Sequence, residues 1–290
     1  MNLILKLPGP LLVFLGACCL SFGGLIVKSF EGATLWQILF WRSVFFSITV
    51  LFFLIITYKL KFINSIIKSG IPGIFGGVIL SAGYAGYVFA MYNTTVANAN
   101  FIIQTQVIFL AIFGYLFLKE KITKITLASI ILAFSGIFIM LGSSLSPGQM
   151  QGNIGAFVMP ISFAVLILIV RKYPNIDMIP LQLIAGIGAL IVGYLLSPKI
   201  LISLHDVFLG FIAGFFQVGF GFIFITIGAK KTLSAIVGIL MMTEAVFGPF
   251  WAWFFLDESP KFYALIGGSI ILFAVLIQLY SLLRKEKVSR

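Results

Sequence analysis

Two charged side chains, Arg42 and Glu244, lie deep within long apolar runs of this chain. A charge at the centre of a bilayer costs about 2.5–3.5 kcal/mol on insertion scales, so such residues face a protein interior or a water-filled cavity and mark candidate functional sites. Arginine presents five donors in a rigid fork that matches a carboxylate or a phosphate. A glutamate withdrawn from water can hold a cationic ammonium, or load and release a proton. One cavity holding both charges suits a zwitterion. The plainer alternative is that Arg42 and Glu244 pair and lock two helices together.

Glutamines and aromatics extend the set. The motif ending in Glu120 recurs at Glu258, 138 residues later, and the same shift carries Gln106 onto Glu244. Two related helices then present a glutamine and a glutamate at matching depth, while Gln104 points elsewhere. Gln217 and Gln182 also fall within apolar runs. Such amides either meet a substrate or bind neighbouring helices. Tyr84 and Tyr87, three residues apart, share one helix face. With Trp41 beside Arg42 they form an aromatic wall suited to a quaternary ammonium, although in a chain with 32 Phe packing is the competing explanation. The substrate-binding candidates are therefore Arg42, Glu244, Gln106, Tyr84, Trp41, Tyr87 and Gln217, with Glu244 also the candidate for proton coupling. Pro249, five residues after Glu244, removes a backbone donor and is the hinge candidate. Pro160 is placed to act likewise.

No catalytic constellation accompanies these residues. His205 beside Asp206 is the only histidine and has no second His or Cys to complete a metal site. Cys18 and Cys19 are adjacent, a poor spacing for a disulfide or a metal. A P-loop is absent, which argues against ATP-driven pumping. Asp257 and Glu258 read as acids that cap or solvate a turn. The expectation is a chain that is not an enzyme and carries no cofactor and no metal. Leu15-Gly16-Ala17-Cys18 resembles a lipoprotein cleavage box, but cleavage would remove an apolar segment that the internal repeat requires.

The elements that position these residues must be membrane helices. Of 290 residues 61% are hydrophobic and only 9% charged, with a mean hydropathy of +1.18. A soluble fold carries about 25% charged residues to clothe its core. Runs of about 20 apolar residues, enough to span a bilayer, divide the chain into ten segments: Pro10–Val27, Thr34–Thr57, Ile71–Tyr92, Val96–Leu118, Ile125–Gly142, Gly152–Val170, Met178–Leu196, Val207–Gly228, Leu233–Leu256 and Lys261–Leu283. No period-two alternation suggests a β-barrel. Arg42 then lies eight residues into the second segment, about 12 Å deep.

Orientation follows from Lys and Arg. With the N-terminus inside, fifteen fall in cytoplasmic loops and tails and three, Lys28, Lys199 and Lys261, outside. That bias places both termini in the cytoplasm. Trp36, Trp251 and Trp253 fall near outer ends and Tyr58, Tyr115 and Tyr173 near inner ends, as an aromatic belt requires. The net charge of +11 is scattered between apolar runs rather than clustered, which excludes nucleic acid as a partner. The expected partners are a small-molecule substrate and the lipid bilayer.

The ten segments repeat. Leu118-Lys119-Glu120 closes the fourth and Leu256-Asp257-Glu258 the ninth; Ser129-Ile130-Ile131-Leu132 recurs as Ser269-Ile270-Ile271-Leu272, and Gly16-Ala17 as Gly155-Ala156. Each unit, 1–146 and 147–290, holds five spans. An odd number makes the second unit enter the membrane upside down. The predicted fold is an all-α polytopic membrane protein with ten transmembrane helices as two inverted five-helix repeats, a construction of secondary transporters with substrate bound near the midplane. Small faces on the third segment (Gly73, Gly76, Gly77, Gly83, Gly86) and on the eighth (Gly210, Gly214, Gly219, Gly221) let helices approach or slide.

With its two five-span units and paired Leu-x-Glu ends, Gly16-Ala17, Arg42 in an aromatic second helix, and Ala97 and Ala235 early in the fourth and ninth segments, the chain resembles the drug/metabolite transporter superfamily, EamA type. The resemblance covers nearly the whole chain. It implies a multi-pass carrier of the bacterial inner membrane, often an exporter of amino acids or related metabolites, with wider relatives carrying nucleotide sugars, sugar phosphates or lipophilic cations. One departure stands out: the family often has proline in the middle of both the fourth and ninth helices, whereas here Ala111 stands in the place related to Pro249. The expected function is secondary transport of a small polar or zwitterionic, amino-acid-like metabolite by alternating access, with proton coupling through Glu244. Export of lipophilic or quaternary-ammonium cations is the alternative within transport. An intramembrane enzyme of lipid or cell-wall metabolism is the alternative of another class.

Overall fold

The structure is a computed structural model that describes residues 7–93, 96–141, 150–256 and 262–288, and among these every regular element is helical. Six stretches are long and apolar enough to cross a membrane: Gly9–Val27, Leu35–Asn93, Met150–Lys172, Ile179–Leu196, Leu204–Ala229 and Ser234–Phe255. Shorter apolar helices cover Ile102–Leu118, Lys124–Ile139 and Leu265–Ser281. The second and third predicted segments share one helical run, which bends at Gly70 (φ 57°, ψ −158°). A side chain would strain that backbone, and glycine does not.

Several predicted spans are interrupted rather than straight. The first is α1 (Gly9–Leu20) and α2 (Gly23–Lys28); the second and third are α3 (Leu35–Tyr58) and α4 (Phe62–Asn93). The fourth is α5 (Val96–Gln104) and α6 (Gln106–Leu118), and the fifth α7 (Lys124–Leu141). The sixth is α8 (Met150–Ala156) and α9 (Val158–Lys172), and the seventh α10 (Ile179–Leu196). The eighth runs through α11 (Leu204–Phe211), a π-helical stretch at Ile212–Phe220 and α12 (Gly221–Ala229). The ninth is α13 (Ser234–Met241) and α14 (Thr243–Leu256), and α15 (Phe262–Val288) follows. Pro160 accounts for the break at Phe157: it cannot donate to the carbonyl four residues back, so it sits in the first turn of α9, where no such bond is needed.

The helices close into a ring. Going round it, α1 packs on α12, the π stretch beside α12 on α3, α3 on α10, α10 on α4, α4 on α9, α9 on α6, α6 on α13, and α13 back on α1. Neighbours alternate between the first and second halves of the chain all the way round. The pair α7 and α15 packs together outside it. Small residues allow the close crossings: a Cβ on Gly16 would lie 2.7 Å from the Gly221 carbonyl oxygen, and one on Gly238 2.8 Å from the Cα of Val107. Arg171, Lys230 and the turn after α6 meet at one end of the ring. Glu31, His205 and the Lys199–Leu201 turn cluster against α3 and α11 at the other.

Candidate functional site

Arg42 is aimed by the start of its helix. Gln37 accepts the Thr34 N–H at 2.8 Å and donates to the carbonyls of Lys199 (3.0 Å) and Leu201 (3.2 Å). Trp41 donates its indole N–H to Ile200 at 2.9 Å. With that end of α3 held, Arg42 points into the ring, 5% exposed. Its guanidinium carbon lies 5.2 Å from the ring centre of Tyr87 and 5.7 Å from that of Tyr84, within cation–π range.

Tyr84 is held from three sides. Its ring stands edge-on to Phe46 (5.5 Å) and Phe222 (5.2 Å). Its hydroxyl donates to Gln182 Oε1 at 3.1 Å, and Gln182 Nε2 donates on to Thr226 Oγ1 at 2.9 Å. Gln182 and Thr226 are wholly buried, so this chain of polar groups is satisfied internally, as burial requires. Gln182 thus serves Tyr84 from α10.

Gln217 sits in the π-helical stretch, a form that recurs at functional sites, and donates to the Leu20 carbonyl at 3.3 Å, where the first span is interrupted. Gly23 makes room beside it: a Cβ there would lie 2.6 Å from Gln217 Nε2 and 2.9 Å from the Tyr87 hydroxyl. Gln106 and Glu244 open two half-helices. Gln106 is the first residue of α6 and Glu244 the second of α14. Before them, tight three-residue bonds close α5 (Thr105 N to Ile102 O, 3.0 Å) and α13 (Met242 N to Ile239 O, 3.2 Å). The positive ends of both half-helix dipoles therefore point to this level of the ring. Gln106 is 1% exposed and its Nε2 has no hydrogen-bond partner.

Arg42, Tyr84, Tyr87, Gln106, Gln217 and Glu244 line one cavity of about 30 Å³. Among the described residues no ion pair within 4.0 Å joins Arg42 to Glu244. The remaining wall is apolar, with Leu20, Ile103, Met159, Phe163, Phe222 and Met241. Sequence reasoning missed these, yet the repeat held the signal. The shift that relates Gln106 to Glu244 also relates Tyr84 to Phe222 and Ile103 to Met241, and the Gly16-Ala17 match relates Leu20 to Met159. The cavity is thus lined by repeat-related pairs, on which Arg42, Tyr87 and Gln217 impose a polar asymmetry.

Two of the named residues stand elsewhere. Trp41 does not line the cavity; its ring stacks on Phe45 (6.0 Å) and its N–H is committed to Ile200. Adjacent helical residues diverge by about 100°, so with Arg42 facing inward Trp41 cannot join the same wall. Pro249 lies within α14, which runs as one helix over Thr243–Leu256, and the interruption of this span is at Met242, on the other side of Glu244. His205 contacts Asp206 at 3.2 Å, away from the cavity wall.

No curated protein matches this chain. A solved crystal structure of a protein superposes with a TM-score of 0.76 at 14% identity, over 93% of this chain and 98% of that one, which shows a shared fold. The model of the EamA-like transporter family matches twice, over 7–142 and 150–280. The two matches coincide with the two halves that alternate round the ring, and the chain belongs to the EamA-like transporter family, a family of multi-pass membrane proteins within the drug/metabolite transporter superfamily.

Proposed function

We propose that this chain is a secondary carrier that moves a small zwitterionic, amino-acid-like metabolite by alternating access. In this reading it crosses a bacterial inner membrane ten times as two inverted repeats, with both termini in the cytoplasm. The observation that carries the substrate class is that Arg42 and Glu244 line one cavity without pairing. Opposite charges held apart in a medium of low dielectric are both satisfied by one ligand bearing a carboxylate and an ammonium. Gln106 supports the same reading: a desolvated N–H without a partner favours a ligand that brings an acceptor.

The quaternary-cation alternative is weakened by Arg42 itself. The guanidinium already occupies the approach to Tyr84 and Tyr87 that an aromatic cage would offer. At about 30 Å³ the cavity holds one or two waters, so loading a metabolite requires the ring to part. Glu244 is the residue through which a proton would couple, and Pro249 a flexing point in the half-helix that carries it.

The test is a thermal-shift screen of purified protein against amino acids, quaternary amines, sugar phosphates and nucleotides, followed by counterflow in proteoliposomes. A ligand that binds the folded state raises its stability by mass action. Stabilisation by amino acids that disappears in Arg42→Ala supports the proposal. Stabilisation by quaternary amines alone, undiminished in Arg42→Ala, refutes it. A chemically altered product would point to the intramembrane enzyme.

A further inference from the structure

Leu118-Lys119-Glu120 marks the end of the fourth span in the sequence and contributes nothing to the cavity wall. Lys119 takes a left-handed conformation (φ 55°, ψ 31°) that turns the chain back, and Glu120 N donates to the Gly114 carbonyl at 3.0 Å. The carboxylate tucks against Gly114, where a Cβ would lie 2.9 Å from Glu120 Oε2. Glu120 is 9% exposed. Its Oε2 accepts the backbone N–H of Ser234 at 2.8 Å, at the start of α13, and its Oε1 accepts Nε of Arg171 from the end of α9. Arg171 Nη1 reaches on to the carbonyls of Ala229, at 3.2 Å, and Thr232, at the end of α12.

In the ring, α9 and α12 occupy opposite positions, with three spans between them on either side. Arg171 therefore bars one mouth of the ring, anchored by Glu120 on the rim. A second tie lies on the same rim, where Tyr58 donates to Asp177 at 2.6 Å and Lys230 approaches that carboxylate at 3.5 Å.

We propose that Glu120 and Arg171 form a latch that closes the mouth assigned to the cytoplasm by the basic loops, and that it must release for the cavity to open inward. This rests on the alternating-access reading above. An ion pair suits a reversible closure, because the charges recover hydration on parting and that offsets most of their lost attraction. The repeat does not duplicate the device. Arg171 lies sixteen residues after Gly155, and the residue sixteen after Gly16 is Gly32, so the position related to Arg171 carries no arginine.

The test uses the full chain with Cys18→Ala and Cys19→Ala and one reporter on the cavity wall, Ile103→Cys. A membrane-impermeant maleimide is applied to right-side-out and inside-out vesicles. Arg171→Ala is expected to raise labelling from the cytoplasmic face about tenfold or more, a shift of about 1.4 kcal/mol per factor of ten, with labelling from the outer face not increased. Gly114→Ala should do the same by displacing Glu120 while leaving both charges in place. It also favours the helix, so it carries the test if Arg171→Ala does not assemble. Unchanged cytoplasmic labelling in monodisperse variants overturns the latch, as does an increase confined to the outer face. No metabolite enters this assay. A working latch in a protein that binds no metabolite would overturn only the proposed function, whereas transport with unchanged labelling would overturn only the latch.

Discussion

The hydroxyl of Tyr84 offers a sharp test of how the cavity is preorganised. Tyr84→Phe keeps the ring between Phe46 and Phe222 and under Arg42, but leaves Gln182 Oε1 without its donor. At a site this buried an orphaned acceptor costs about 1–3 kcal/mol. Gln182→Met preserves side-chain length and orphans the Tyr84 hydroxyl and Thr226 Oγ1 instead, again at about 1–3 kcal/mol. Removing both partners of a buried hydrogen bond is nearly neutral by comparison. The double variant is therefore expected to fall short of the sum of the singles by about 1–2 kcal/mol, the signature of a directly interacting pair. Thermal unfolding of the detergent-purified protein reads this as melting-temperature losses of about 2–4 °C per kcal/mol. Because the hydrogen bond holds the ring that faces Arg42, ligand affinity should show the same non-additivity. Additive losses would refute the reasoning and reduce Gln182 to a bystander.

Three further outcomes follow from the same geometry. Arg42→Ala should weaken binding of a carboxylate-bearing ligand by about 2–5 kcal/mol, the cost of truncating one partner of a buried charge pair, as measured by isothermal titration. Glu244→Gln keeps the shape of the side chain and removes its charge and proton. Counterflow should persist only at higher substrate concentration, because the ligand's ammonium loses its counter-charge, while the pH dependence of net uptake disappears; a retained pH dependence would assign coupling elsewhere. Gly23→Ala places a methyl 2.6 Å from Gln217 Nε2 and 2.9 Å from the Tyr87 hydroxyl. Filling that space should weaken ligand binding by about tenfold or more in a protein that still elutes as a single species, with affinity again read by titration.

Much of the candidate site was legible because charge is conspicuous in an apolar segment. Arg42 and Glu244 needed only their residue types to stand out, and Gln106 needed only the repeat. Tyr84 and Tyr87 followed from helical spacing. Trp41 did not, because neighbours along a helix face different partners: beside Arg42 in sequence, it turns to the Ile200 carbonyl instead. Phe222, Met159 and Met241 were invisible as site residues, since an apolar side chain in an apolar helix carries no sign of what it faces. Pro249 marks a candidate hinge by residue type alone, whereas the interruption of the ninth span lies at Met242, where no proline stands and the three-residue bond to Ile239 closes α13.

Residue chemistry along the chain is enough to require a membrane, mark out apolar segments, reveal two repeats and single out two intramembrane charges. Those properties are local: transfer energy, charge and period belong to each segment whatever its neighbours. Which helices meet is not local. The ring alternates between the repeats because glycines such as Gly16 and Gly238 meet complementary surfaces on distant segments, and that fit exists only once both helices are in place. The same closure brought Arg42 and Glu244 to one cavity without pairing them, and set Arg171 across the mouth against Glu120. Sequence spacing holds no record of either distance, because both depend on the packing of helices more than fifty residues apart.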